Sequence, residues 1–278
     1  MTSVIPTEME GSPNSSLQTV PISKTFPVLL GDVNRVLIHL VGCGGTGSFL
    51  ALHLARLAYH AAALGIDIRL VFVDPDKVEE KNIGRQNFCP AEIGEHKAFT
   101  LARRYSIAYG LDIQAVCKEF KVETAQRTRR LEIVAGCVDN AAARREIARY
   151  LDYNNSPIGA HTWWLDGGNH EHAGQVHLGN TDQVTISPLG FCSSLPHPGV
   201  QAPDLLEDPE EELQDLSCAD LTALNIQSLM INQAIAGWMS TYLYRLLIGR
   251  DLDIMATYIN LAAGSTRSVG ITKRDEEE

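Results

Sequence analysis

Four glycines fall within residues 42–47, which read GCGGTG and lie between an apolar run and an alanine-rich segment. Glycines let a backbone turn approach a phosphate closely, and the N-terminus of a following helix adds a partial positive charge. The pattern suits the phosphate-binding turn of a dehydrogenase or of an ATP-using enzyme, and also a tight turn without a ligand. The candidate phosphate-contacting residues are Gly42, Gly44, Gly45 and Gly47.

Residues that suit a triphosphate follow the next apolar run. Asp74 ends that run, where an acid commonly accepts hydrogen bonds from ribose hydroxyls, and Asp76 lies beside it. Arg85 can neutralise phosphate charge, and Asn82 can donate a hydrogen bond to a phosphate or a sugar. A dehydrogenase does not need Asn82, Arg85 and Gln86 at this point, so they favour an adenylating enzyme that uses ATP.

Two more positions complete the candidate site. Lys97 begins a predicted helix and supplies a second cation for the phosphates. Asp139 follows a third apolar run, so its carboxylate is expected at the sheet edge that carries Asp74 and the glycine turn. There it can hold Mg²⁺ that bridges phosphate oxygens. Asn140 either assists at this site or caps the next helix, because Asn is a preferred N-cap residue.

Short apolar runs alternate with segments of helical periodicity, and these elements must position the candidate residues. The first strand–helix–strand unit requires a right-handed crossover. Strands are predicted at residues 36–41, 68–73, 133–138, 158–165, 175–178 and 255–261. Helices are predicted at residues 46–64, 94–109, 122–130, 141–153 and 219–247. The order predicts an α/β fold, doubly wound around a mostly parallel, Rossmann-like sheet, with a long C-terminal helix.

The predicted organisation is a flexible arm over residues 1–26, a single domain over 27–270 and an acidic tail over 271–278. The arm is rich in Ser, Thr, Pro and Glu and has no periodicity. Residues 187–216 carry several prolines and an acidic run, which indicates a long loop within the domain. The segment Asp166-Gly167-Gly168 is expected between two strands.

Composition excludes several classes of protein. The 278 residues are 45% hydrophobic, and the formal net charge of -11 argues against a nucleic-acid partner held by phosphate contacts. We expect no membrane span, since polar residues interrupt the last apolar helix, and the first 26 residues lack the pattern of a signal peptide. Six cysteines without a C-x-x-C pair favour reduced thiols and a cytoplasmic protein.

Five motifs in order resemble the adenylation-domain signature of the ThiF/MoeB/ubiquitin-activating (E1) superfamily. They are GCGGTG at 42–47, Asp74-x-Asp76-x-Val78, Asn82-x-x-Arg85-Gln86, Gly94-x-x-Lys97 and Cys137-Val138-Asp139-Asn140. The similarity extends over residues 30–261. Within the superfamily, VGCGGTGS at 41–48, GRQNF at 84–88 and SCA at 217–219 are similar to the ThiF-type protein of bacterial PRTRC cassettes, which also encode a ubiquitin-like protein.

The resemblance implies an ATP- and Mg²⁺-dependent reaction in which the C-terminal carboxylate of a ubiquitin-like protein attacks the α-phosphorus. It implies that Asp74 binds ribose, that Asn82, Arg85 and Lys97 bind phosphates and that Asp139 holds Mg²⁺, with Gln86 in support. It also implies a homodimer and allows for an E2-like partner. Catalysis would consist mostly of positioning and charge neutralisation.

Many relatives form a thioester on a cysteine just before the last long helix, and Cys218 matches that place. At a helix start the dipole favours a thiolate, although a small buried residue would also suit this position.

Cys192 has no C-x-x-C partner, so we expect no structural zinc. His170-Glu171-His172 is expected to be a solvated loop and not a metal site. Residues 20–34, where relatives often place an arginine finger, contain Lys24 but no Arg, and Arg35 abuts the strand. The finger is therefore missing, replaced by Lys24 or supplied otherwise.

Two alternatives remain open from the sequence. The missing finger is compatible with a catalytically weakened E1-like protein that serves as a binding or assembly module. An NAD-dependent oxidoreductase is the other alternative, and Asn82, Arg85, Lys97 and Asp139 argue against it.

Overall fold

The structure, a computed structural model, describes residues 24–124, 130–155, 162–169, 172–208 and 229–273. The strands are β1 (Arg35–Val41), β2 (Asp67–Val73), β3 (Ile113–Val116), β4 (Leu131–Gly136), β5 (Thr162–Asn169), β6 (Ala173–Gly179), β7 (Thr185–Ile186), β8 (Cys192–Ser194), β9 (Ile254–Asn260) and β10 (Ser265–Gly270). The helices are α1 (Gly45–Ala62), α2 (Lys97–Tyr109), α3 (Ala141–Asn154), α4 (Pro198–Gln201) and α5 (Leu229–Tyr244), the last extended by a π-helical turn at Arg245–Gly249.

Eight strands form one sheet in the order β10-β9-β6-β5-β4-β1-β2-β3, and β7 pairs with β8 separately. The strands from β3 to β5 are parallel, whereas β6, β9 and β10 are antiparallel additions. The order runs outward from β1 in both directions, which is the arrangement of a doubly wound sheet. The predicted α/β, mostly parallel, Rossmann-like fold is therefore confirmed.

Hydrophobic clusters cover both faces of the sheet. The larger cluster packs α1, α2 and α5 against one face, through residues such as Ile38, Leu50 and Ile235. The smaller one packs α3 against the other face, through Val134 and Ile147. Successive strand residues point to opposite faces, so a strand covered on both sides is apolar at nearly every position, as the fully buried β4 shows. In the described parts of the chain, every helix is too short or too polar to cross a membrane.

The structure corrects several predicted elements. The predicted helix at 122–130 is a 3-10 turn at Val122–Thr124 in its described part, and the short strand β3, which carries only four residues, precedes it. Strand β10 was not predicted, because most of its residues are polar and exposed and it is held by pairing with β9. The long C-terminal helix is described from Leu229 onward, so the predicted start at 219 lies outside the described residues.

The segment Asp166-Gly167-Gly168 lies within β5 and not between strands, which corrects the prediction. Each of the three residues pairs with β6, and helix α5 packs directly on Gly167, where a Cβ would collide with Met239. The predicted loop at 187–216 is also partly ordered, since β8, α4 and a 3-10 turn at Pro203–Leu206 lie within its described portion. Proline at the first helical positions favours these short helices, because its missing N–H is not needed there.

The described end of the predicted N-terminal arm packs on the domain. Phe26 is buried, and its backbone N–H donates to the Ile271 carbonyl oxygen at 2.9 Å. Thr25 Oγ1 donates to Asp253 Oδ2 at 2.8 Å. Ile271, at the start of the predicted acidic tail, is itself buried. The remainder of the arm and residues 274–278 of the tail lie outside the described residues, so their character stays a prediction.

Candidate functional site

A cleft of about 1110 Å³ opens at the carboxyl ends of the parallel strands. Ligands of open α/β sheets bind at this edge, where the strand order reverses. The glycine turn after β1, the polar segment after β2 and the residues after β4 all line it. The sequence-predicted residues that line the cleft are Gly42, Gly44, Gly45, Asp74, Asp76, Asn82, Arg85, Gln86, Lys97, Asp139 and Asn140.

The glycine turn joins β1 to α1 with its backbone exposed to the cleft. The first N–H groups of a helix have no intrahelical acceptor, so those of Gly45 and Thr46 are available to an anion. Gly47 packs so closely that a Cβ on it would overlap the Gly42 carbonyl oxygen, which makes glycine necessary there for packing. Gly44 instead lies opposite Gln86, whose Nε2 would be 3.7 Å from an added Cβ.

Asp74 fixes the shape of this turn. Its Oδ2 accepts a hydrogen bond of 2.6 Å from the Cys43 backbone N–H, and its Oδ1 accepts one of 2.8 Å from the Asp76 N–H. Burial raises the pKa of the Asp74 carboxyl, and these two hydrogen bonds oppose that rise by stabilising the carboxylate. The predicted contact with ribose stays a prediction.

Lys97 is a nearly buried cation on the wall of the cleft. Its Nζ lies 2.9 Å from Asp76 Oδ2, and its side chain is 8% exposed against 63% for that of Asp76. The Lys97 backbone N–H also donates to the Asp76 carbonyl oxygen at 2.9 Å, which fixes the start of α2 against the segment after β2. The ammonium group is therefore held at the cleft by a carboxylate that remains open to solvent.

Asn82, Arg85 and Gln86 lie together along the cleft, as the motif predicts, but they differ in what holds them. Asn82 Oδ1 caps a 3-10 turn by accepting from the Glu79 N–H at 2.9 Å, and Asn82 is buried. Arg85 Nε donates to the Lys81 carbonyl oxygen at 2.9 Å. Gln86 Oε1 is buried and has no hydrogen-bond partner among the described residues. A water or a ligand in the cleft would supply the missing hydrogen bond.

Asp139 and Asn140 follow β4, and the structure separates their roles. Asp139 is exposed at the cleft. Asn140 is the N-cap of α3, because its Oδ1 accepts from the Ala143 N–H at 2.8 Å. The capping alternative for Asn140 is therefore correct, and its further role in holding a cofactor stays a prediction.

The carboxylate of Asp139 suits a magnesium ion that accompanies a nucleotide. Mg²⁺ is usually bound by one or two carboxylates together with substrate phosphates and water. Over the described part of the chain, no group of three or more His, Cys, Asp or Glu side chains is placed to hold a metal by itself. Cys192 is buried, and burial raises the pKa of its thiol to about 11. The expectation that the protein lacks structural zinc stays a prediction.

Some predicted features lie elsewhere. Cys218, His161 and His170 are outside the described residues. The Lys24 Nζ lies 5.5 Å from the centre of the Phe26 ring, and Lys24 is not among the residues that line the cleft. Arg35 begins β1, at the end of the strand away from the cleft. The alternatives for the arginine finger stay predictions, because a finger would come from a second copy of the chain.

Thr46, Asn169 and Asn232 are among the polar residues of the cleft that sequence reasoning missed as site residues; the others are the charged residues Glu79, Lys81, Glu119, Lys121, Arg145, Glu146 and Arg149. Asn169 is the last residue of β5, and Asn232 lies on α5 with only 5% of its surface exposed. Asn232 is one of several polar residues on this mostly apolar helix, so the sequence did not single it out, and its position beside the glycine turn required the fold. Arg144 of α3 and Asp166 of β5 form a buried ion pair, with an Nε–Oδ1 distance of 3.3 Å. This pair stabilises the strand that ends at Asn169.

The glycine turn lies at a helix N-terminus, and cations and carboxylates lie at the same edge of the sheet. This arrangement defines a Rossmann-like domain with a cleft of the kind in which such domains bind nucleotides. The profile of the ThiF family matches residues 21–277, and the chain belongs to that family.

Sequence and structure comparisons give relatives of the same kind. The chain is 28% identical over 156 residues to ubiquitin-like modifier-activating enzyme 5 of Drosophila virilis, and equally to that of Drosophila mojavensis, covering 51% of this chain and 35% of the relative. The chain thus spans about a third of the length of these curated relatives. Among solved structures, PaaA is similar with a TM-score of 0.53 and 18% identity, covering 86% of this chain and 64% of PaaA. MccB of E. coli, in a complex with ATP, is similar with a TM-score of 0.53 and 14% identity, covering 85% and 64%.

Proposed function

We propose that this protein is an E1-like adenylyltransferase that activates the C-terminal carboxylate of a ubiquitin-like protein with ATP and Mg²⁺. The observation that carries the proposal is the convergence of the glycine turn, Lys97, Arg85 and Asp139 on one cleft. Membership of the ThiF family and the similarity to ubiquitin-like modifier-activating enzyme 5 support the same activity. A solved complex of MccB with ATP gives a precedent for the nucleotide on this fold.

The reaction has one displacement at phosphorus. An oxygen of the substrate carboxylate attacks the α-phosphorus of ATP, and the bond from that phosphorus to the oxygen bridging the β-phosphate breaks. Pyrophosphate leaves with the bonding electron pair, and the acyl-adenylate is the other product. No proton transfer by the protein is needed, so the side chains act by position and charge.

The proposed roles follow the predicted assignments. The amides at the start of α1 contact phosphate, Lys97 and Arg85 neutralise the charge that develops on the leaving pyrophosphate, and Asp74 contacts ribose. Asn82 and Gln86 complete the phosphate side. Asp139 would hold Mg²⁺, which supplies further charge neutralisation of the phosphate oxygens when bound.

The finer assignment is also a proposal. We place the protein with the ThiF-type proteins of PRTRC cassettes and propose the ubiquitin-like protein of such a cassette as its substrate. A homodimer, a cytoplasmic location and an E2-like partner belong to the same proposal.

The test is ATP–pyrophosphate exchange with the ubiquitin-like protein of a PRTRC cassette as the acyl substrate. We expect exchange that requires both that protein and Mg²⁺. AMPCPP, the nucleotide of one solved MccB complex, serves as the binding probe. Binding of AMPCPP without exchange would indicate a binding or assembly module, and retention of NADH in place of ATP would contradict adenylation.

A thioester step on Cys218 is proposed as a sequel to adenylation. The activated acyl carbon would be attacked by the Cys218 thiolate, and AMP would leave. We expect a conjugate with the ubiquitin-like protein that forms with ATP, withstands a phosphine reductant and is released by hydroxylamine or by an excess of a small thiol, as for a thioester. The Cys218→Ala variant should lose it, whereas Cys89→Ala, which removes an exposed free thiol, should keep it. Formation of the conjugate by Cys218→Ala would exclude this nucleophile.

A further inference from the structure

Asn232 reaches the glycine turn from the helix that packs across it. A Cβ added to Gly45 would lie 2.8 Å from Asn232 Oδ1 and 2.9 Å from Nδ2, so any side chain at position 45 would displace the amide. Gly45 therefore gives Asn232 access to the first turn of α1. The asparagine is 5% exposed and forms part of the cleft wall.

Two hydrogen bonds set the orientation of the Asn232 amide. Thr46 Oγ1 and Asn169 Nδ2 each donate to Asn232 Oδ1 at 3.0 Å. Since both donors meet the oxygen, Nδ2 lies on the other side of the amide group. Nothing in the described segments accepts a hydrogen bond from Nδ2, which leaves an oriented amide donor for a ligand in the cleft.

The position of this donor indicates which ligand oxygen it meets. Asp76 and Lys97 adjoin β2, on one side of β1 in the sheet, whereas Asn169 ends β5, on the other side. Displacement at phosphorus brings in the nucleophile opposite the leaving group. If Lys97 holds the departing pyrophosphate, the attacking carboxylate arrives on the side of Asn169 and Asn232.

We propose that Asn232 binds the carboxylate of the acyl substrate through Nδ2 and orients it for attack, an inference that rests on the adenylation reaction proposed above. A neutral amide suits this task, because it holds a carboxylate without protonating it and leaves its charge available to the phosphorus. Thr46 and Asn169 act as positioning residues that hold the amide in place.

The test compares two forms of one substrate. The ubiquitin-like protein of a PRTRC cassette is prepared with its natural C-terminal carboxylate and with a C-terminal carboxamide, and the Kd of each is measured in the presence of AMPCPP. The Asn232→Asp variant keeps an acceptor for Thr46 and Asn169 but replaces the donor with a carboxylate oxygen. We expect this variant to bind the carboxylate form roughly 10- to 100-fold more weakly, as for loss of a hydrogen bond to a charged group. The Kd of the carboxamide form should differ less than about threefold between the wild type and Asn232→Asp.

Two other variants keep the test interpretable. Gln233→Glu makes the same amide-to-carboxylate change at the next, exposed position of α5 and should leave both Kd values unchanged. Asn232→Ala removes the donor without adding charge and should weaken the carboxylate form selectively. The affinity for AMPCPP reports whether each variant keeps an intact cleft.

The outcomes separate this inference from the proposed function. If Asn232→Asp and Asn232→Ala weaken both substrate forms equally, or neither, then Asn232 does not contact the carboxylate although adenylation stands. A loss of AMPCPP affinity as large as the loss for the carboxylate form would make Asn232 a phosphate ligand and would also overturn the inference. If the wild-type protein shows no pyrophosphate exchange, adenylation fails and the inference fails with it.

Discussion

The Cys43 backbone N–H donates a hydrogen bond of 2.6 Å to Asp74 Oδ2, which fastens the glycine turn after β1 to the end of the neighbouring strand β2. The other carboxylate oxygen of Asp74 accepts from the Asp76 N–H. The acid at the end of β2 therefore shapes the phosphate-binding turn, in addition to its proposed contact with ribose. The same pair brings Asp76, and with it Lys97, to the edge of the turn.

Replacement of Asp74 by Asn should reduce both stability and nucleotide binding. One carboxylate oxygen becomes an NH₂ group that faces a backbone N–H, so a buried hydrogen bond is lost and a donor is left unsatisfied. We expect the free energy of unfolding in urea to fall by about 1–3 kcal/mol, together with weaker AMPCPP binding by calorimetry. Asp112→Asn, at an exposed site before β3, is the control and should change neither. Unchanged stability with weaker binding would assign Asp74 to the nucleotide alone.

Replacement of Lys97 by Met should reduce pyrophosphate exchange by roughly 10²–10³-fold, the usual effect of removing one group that stabilises transition-state charge. Methionine keeps the length and apolar part of the buried side chain, so folding should persist. Lys81→Met is the matched control, since Lys81 also lines the cleft but pairs with Glu79 and has a side chain that is 70% exposed. Equal losses in the two variants would show that only the overall charge of the cleft matters.

Asp139 and Asn140 are neighbours in sequence whose substitution should give opposite results. Asn140→Ala removes the N-cap of α3 and should lower the free energy of unfolding by about 1 kcal/mol, with exchange changed only a few-fold. Asp139→Ala should leave stability unchanged and abolish Mg²⁺-dependent exchange. Thermal denaturation and exchange assays at varied Mg²⁺ measure both effects. Normal exchange in Asp139→Ala would exclude this residue as the metal ligand.

His39 should make stability depend on pH. It packs edge-on against Phe120 and Tyr150, and burial lowers its pKa from 6.5 to about 4. Between these values the unfolded chain binds a proton that the folded protein excludes, so stability is full above pH 6.5 and is lost as the pH falls to 4. The contribution is on the order of 3 kcal/mol.

The measurement is urea unfolding at a series of pH values, with His39→Phe for comparison. Phenylalanine suits the aromatic surroundings and does not titrate, so the variant should lose this part of the pH dependence. Equal slopes for the wild type and the variant between pH 4 and 6.5 would show that His39 is not the titrating group.

Strands and helices with a clear apolar run or periodicity of their own could be predicted from the sequence. The β4 segment Leu131–Gly136 is buried at every position, and the apolar run that begins at Ile133 predicted a strand. Strand β10 is mostly exposed and polar, so its pairing with β9 left no periodic signal in its own residues. Gly167 looked like part of a turn because glycine favours turns, whereas in the fold it makes room for Met239 of α5.

The candidate site, like the fold, was predictable only in part. Motif spacing predicted that Asp74, Arg85, Lys97 and Asp139 would share one cleft, since parallel strands end at one edge of the sheet. Asn140 could not be assigned from the sequence, because an asparagine after a strand serves equally well as a helix cap or as a ligand. The hydrogen bond to Ala143 N–H decided for the cap.

The sequence by itself determined the buried strands β1, β2 and β4 with the helices α1, α2 and α3 that follow them, the glycine turn and the charged residues proposed to face a nucleotide. Each of these depends on contacts between near neighbours or on the common edge of parallel strands. Only the tertiary structure decided that Asp74 fastens the turn and that Asn232 enters the cleft beside Gly45. Asn232 and Thr46 are separated by 186 residues and meet through the packing of α5 on α1. Residue type and local spacing carry no information on a contact of that range, since it depends on how whole helices pack.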